Sequence, residues 1–82
     1  MNAYKNIRIA NEILNQAEQH QIEADFMVQY GDQWVNGECE DSVNEQFPEF
    51  SRVMTDLDME YHREELMAAF ALLIETGNQS AC

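Results

Sequence analysis

Between Arg8 and Arg52 the chain contains neither lysine nor arginine. Ten carboxylates fall in residues 9–51, so this segment carries −10 with nothing inside it to neutralise the charge. The shortage of bases is general: Lys5, Arg8, Arg52 and Arg63 stand against sixteen acids in 82 residues, a net charge of −12. Such a balance excludes direct nucleic-acid binding and docking on an anionic membrane, both of which run on clustered positive charge. It favours a basic partner.

Long apolar runs are missing too. The longest, LMAAFALLI at 66–74, has nine residues, and a bilayer span needs about 20. The N-terminal MNAYKNIRIANEILNQ has no apolar core of the kind a secretion signal uses. The expectation is a cytoplasmic protein whose two cysteines, Cys39 and Cys82, are free thiols. Three glycines and one proline leave no linker and no low-complexity tract, and the length fits one domain, 1–82.

Catalytic and metal-binding patterns are equally absent. His62 is followed by Arg63-Glu64-Glu65, which is not H-E-x-x-H. The alternating acids Asp56, Asp58 and Glu60 suggest a calcium loop, but its sixth and twelfth positions hold Tyr61 and Met67 instead of glycine and glutamate. They read instead as acids at a helix N-terminus. His20, Cys39, His62 and Cys82 lack the short paired spacings of structural zinc. No glycine loop could cradle a phosphate. The reading is a non-enzyme with no metal and no cofactor.

What is present reads as a mainly helical chain. Tyr4, Ile7, Ala10, Leu14 and Ala17 recur at three- and four-residue steps, widened by Ile13, and predict a helix over about 3–20, capped by Asn2. Phe26, Val28 and Tyr30 alternate, Gly31-Asp32 is a hairpin-type pair, and Asn36-Gly37 is a second turn signal. These predict a short β-hairpin at about 25–30 and 33–39. The competing pattern is that the first helix continues through Ile22, Phe26 and Tyr30, which also stack at four-residue steps. Ser42 and Glu45 have the capping-box form, but Pro48 better suits the first position of a helix starting near Phe47, with Phe50, Val53, Met54 and Leu57 as its stripe. Thr55 or Asp58 can cap a last helix that runs through Leu66, Phe70 and Leu73 and stops at Gly77. The fold expectation is thus α+β, with about three helices and a short hairpin; the alternative is a small all-α bundle. Because 66–74 is apolar on every side, that helix is either the central element or part of a homodimer contact.

The acidic segment admits a bland reading, solubility, and a sharper one, that its carboxylates stand in for phosphates. Duplex DNA presents one negative charge per about 1.7 Å, and acids three to four residues apart on a helix lie about 5–6 Å apart along it. Glu38, Glu40, Asp41, Glu45 and Glu49, continued by Asp32, Asp25 and Glu23, would form an anionic row for a groove lined with lysine and arginine. Trp34, ordinarily a core residue, or Phe47 would add an apolar anchor. In size, charge and lack of catalytic motifs the chain resembles the small acidic inhibitors of phages and mobile elements, the anti-restriction and anti-CRISPR proteins. That resemblance implies a DNA mimic that occludes a basic nucleic-acid-binding protein or complex. The rival expectation is a small dimeric helical adaptor or antitoxin that meets its partner through an apolar surface, with the charge incidental.

Overall fold

The computed structural model describes residues 3–81, with side chains placed for residues 4–76; Cys82 lies outside the described residues. Five helices follow one another: α1 (Ala3–Gln19), α2 (Ala24–Val35), α3 (Asp41–Gln46), α4 (Pro48–Glu60) and α5 (Arg63–Ala81). The described residues contain no strand, so the fold is all-α and the expected hairpin is not formed.

The correction lies in α2. Its inward face is Met27, Gly31 and Val35 at four-residue steps, and Phe26 and Tyr30 stack with ring centroids 4.5 Å apart. Gly31 is not a turn residue. A β-carbon there would lie 2.4 Å from Phe70 Cζ, so the glycine lets α5 approach α2. Asn36-Gly37 does end an element, but as a helix cap. Gly37 has φ +80°, its N–H donates to the Trp34 carbonyl at 3.0 Å, and the Glu38 N–H donates to the Gln33 carbonyl at 2.8 Å. This is a Schellman motif.

The same motif closes α1. Gln21 sits at φ 59°, its N–H donates to the Glu18 carbonyl at 3.1 Å, and the Ile22 N–H donates to the Ala17 carbonyl at 2.7 Å. Here glutamine occupies the left-handed position that usually goes to glycine. The inward stripe of α1 is also rotated from the expected one: Ile9, Ala10, Ile13 and Ala17 are buried, whereas Tyr4 is 89% and Ile7 47% exposed.

Pro48 opens α4 as the sequence suggests. Phe47, neither helical nor extended at φ −127° and ψ 71°, is the joint between α3 and α4, since a residue before proline avoids the helical region. Ser42 caps nothing; its Oγ donates to Glu40 Oε2 at 3.4 Å, and α3 starts at Asp41 after Glu40. Neither Thr55 nor Asp58 starts the last helix. Both belong to α4, and the chain breaks at Tyr61–His62. Glu65 Oε1 accepts the His62 N–H at 3.1 Å, which is half of a capping box. α5 then passes through Gly77 and does not stop there.

The helices α1, α2, α4 and α5 share one core, whose largest fully buried side chains include Phe50, Phe70, Ile9, Ile13, Met27 and Met54. α5 packs chiefly on α1 and α2. Lys5 pairs with Glu65, so α1 and α5 begin at the same end. Arg63 Nη1 donates to the Val35 carbonyl at 2.9 Å, so α2 runs the opposite way and ends beside the start of α5. The apolar run 66–74 is therefore central on one side only: Leu66, Ala69 and Phe70 are buried, while Met67 is 45% exposed. α3 buries no residue and rides on the surface beside α4.

Candidate protein-binding site

Three of the four basic side chains are already paired. Lys5 pairs with Glu65, Arg52 with Glu49 at 3.7 Å, and Arg63 with Asp58 at 3.5 Å. Most carboxylates consequently have no cation of their own, and their distribution defines the surface on offer.

Glu38, Glu40, Asp41 and Glu45 are all exposed. They fall within eight residues, on the loop after α2 and on α3, and among the described residues none of them has a lysine or arginine partner. The Gly37 cap turns the chain out of α2 at this point, and α3 is too short to bury an apolar face, so the segment 38–45 forms an acidic ridge. Asp41 and Glu45, four apart on α3, share one face.

The remaining expected residues do not extend this ridge as one helical row. Glu49 is exposed in the first turn of α4. Asp32 is half-buried near the end of α2, and Asp25 is exposed in its first turn, about 10 Å further along the axis at 1.5 Å per residue. Trp34 is half-buried against the core, and the Arg63 guanidinium lies 5.6 Å from its ring centroid. Arg63 thus joins the start of α5 to the end of α2 through the Val35 carbonyl and the Trp34 indole face, and to α4 through the Asp58 carboxylate.

Cys39 lies at the foot of the ridge, half-buried, with its Sγ 3.8 Å from Asn44 Oδ1 and 3.9 Å from the Glu40 carbonyl. Burial raises its thiol pKa, and the charges of Glu40 and Asp41 raise it further. The thiol is therefore held protonated, which is the opposite of what a nucleophile needs. Among the described residues no cluster of three histidine, cysteine or carboxylate side chains could hold a metal ion, and no helix is long and apolar enough to cross a membrane.

Sequence reasoning missed a pocket of about 550 Å³ between the α1–α2 corner and the α3–α4 joint. Ile22, Phe26, Phe47, Pro48 and Phe50 make its apolar walls; His20, Glu23 and Glu49 are among its polar residues. The Phe26 ring meets Phe47 at 4.6 Å and Phe50 edge-on at 5.4 Å. Phe50 is fully buried, whereas Phe47 is 45% exposed and forms part of the mouth. His20 Nδ1 lies 3.1 Å from Glu49 Oε2, which ties the end of α1 to the start of α4. The stacking of Ile22 and Phe26 was the sequence signal for one wall; nothing in the sequence joined it to residues 46–50.

Comparison of the chain with protein-family models, with curated proteins and with solved structures returns no match.

Proposed function

We propose that this protein is a non-enzymatic inhibitor of the cytoplasm. It binds a basic, nucleic-acid-handling protein and occludes its site, in the manner of the small acidic phage inhibitors that it resembles in size and charge. The observation that carries this reading is the ridge of Glu38, Glu40, Asp41 and Glu45, exposed and without basic partners among the described residues. A surface kept only for solubility gains from interleaved charges of both signs. Four carboxylates in eight residues repel one another, and a cationic groove relieves that repulsion on contact.

The test is capture from a bacterial lysate at low salt, followed by stepped salt elution and competition with duplex DNA. The expected partner leaves as salt rises, because contacts of this kind are screened and release counterions. Duplex DNA displaces it, and the triple variant Glu40→Lys, Asp41→Lys, Glu45→Lys fails to retain it. A partner held by the triple variant, or one that stays bound at about 1 M salt, where the Debye length is about 3 Å, rejects the mimic.

One observation favours a second reading, a dimeric helical adaptor. Met67 and Ala71 leave part of the apolar run of α5 open to solvent. Mass measurement in solution separates the two, since the adaptor requires a dimer whose formation is insensitive to salt.

A further inference from the structure

We infer that the pocket between the α1–α2 corner and the α3–α4 joint receives an arginine side chain of the partner. This rests on the reading of the protein as a binder of basic surfaces and adds a specific anchor to it. Phe26 and Phe47 give the pocket accessible aromatic surface, with the fully buried Phe50 behind them, and aromatic faces attract cations. Glu23 and Glu49 supply the anionic groups, and no lysine or arginine lines the pocket.

Three features must be weighed against them: two helix N-termini, Arg52, and His20, whose Nδ1 lies 3.1 Å from Glu49 Oε2 in a contact that an entering guanidinium must displace or share. The N-termini of α2 and α4 open here, each with a partial charge of about half a unit; the full charges of Glu23, Asp25 and Glu49 exceed their sum. Arg52 touches Glu49, but at 3.7 Å, with its own side chain two-thirds exposed. Such a pair is weak and easily exchanged. An anion entering the pocket would meet carboxylates, and a purely apolar group would leave them unused. A guanidinium uses both parts of the site: its plane stacks on a phenylalanine ring and its edge pairs with a carboxylate. The volume of about 550 Å³ lies in the range of pockets that enclose a ligand rather than a single methyl group.

The test is an amide-resolved NMR titration of the whole labelled protein. The probes are an acetylated and amidated glycine–serine peptide with one central arginine, its leucine counterpart, and nona-arginine. The single-arginine peptide is expected to shift amides in 20–26 and 46–50, and the leucine peptide is not. Phe47→Ala, at an exposed position, and Glu49→Gln should each weaken the arginine peptide about threefold to tenfold. Glu60→Gln, exposed at the far end of α4, should leave it unchanged. Equal shifts from the leucine peptide overturn the arginine assignment. Nona-arginine shifts confined to 38–45, with 20–26 and 46–50 silent, overturn the pocket and leave the basic-partner reading standing. No shift from nona-arginine at low salt overturns both.

Discussion

Gly31 and Phe70 are packed so closely that the α2 backbone serves as the floor on which the Phe70 ring rests. An added β-carbon would lie 2.4 Å from Phe70 Cζ and 2.5 Å from Cε1. Phe70 is fully buried and has little room to withdraw. Gly31→Ala should therefore destabilise by about 1–3 kcal/mol, the usual cost of overpacking, despite the better helix propensity of alanine. Combining it with Phe70→Leu should cost less than the sum of the two single changes in urea unfolding. Strict additivity would refute the contact.

Gln21 occupies a left-handed position without being glycine. That conformation costs a side-chain-bearing residue roughly 1–2 kcal/mol, partly offset by the extra freedom that glycine gives the unfolded chain. Gln21→Gly should raise stability by about 0.5–1 kcal/mol. The control is Gly37→Ala at the matching position of α2, which should lower it by a similar amount.

Glu65, in α5, ties α1 and the α4–α5 joint together, accepting the Lys5 ammonium and the His62 N–H. These two bonds, the Lys5 one larger, hold its carboxyl pKa below the ordinary 4.5. A depressed carboxyl stabilises the fold fully above its unfolded value, and the contribution fades as pH falls through the folded value. The advantage of the wild type over Glu65→Gln should accordingly be constant near neutrality and shrink below about pH 4.5. Chemical unfolding at pH 7, 5, 4 and 3 checks the sign; an advantage that grows on acidification refutes it.

Cys39 should react slowly with a disulfide reagent at pH 8, because burial and its acidic neighbours keep the thiolate scarce. Glu40→Gln with Asp41→Asn should speed the reaction severalfold. Added salt should speed the wild type more than that variant, since only the wild type has the full local field to screen.

Some of the architecture was legible in the sequence. The extent of α1 followed from its periodicity, and Pro48 announced the start of α4 because its fixed φ and missing N–H suit that position. Gly31 misled for a physical reason. A glycine signals only that no side chain is wanted, which serves a tight turn and a close helix crossing equally well. Which one applies depends on Phe70, thirty-nine residues away. Tyr4 and Ile7 misled likewise: periodicity shows that a stripe exists, but the packing partner decides its centre, and here that centre shifts to Ile9 and Ile13. The acidic ridge was legible because it is local in sequence. The pocket was not, because it is assembled from two segments that meet only after folding.

Trp34 is the only tryptophan in the chain, and Arg63 covers it where α2 meets α5. The protein thereby carries its own optical gauge for that seam. Indole emission should redden when α5 lifts from α2, because Trp34 then loses the cover of Arg63 and of the core. The pocket, about 12 Å along α2 at Phe26 by helical rise, is walled by phenylalanine and proline that emit almost nothing in the same window. Trp34 emission thus reports on the α2–α5 seam without interference from the pocket, whose occupancy is read separately from the amide shifts of 20–26 and 46–50.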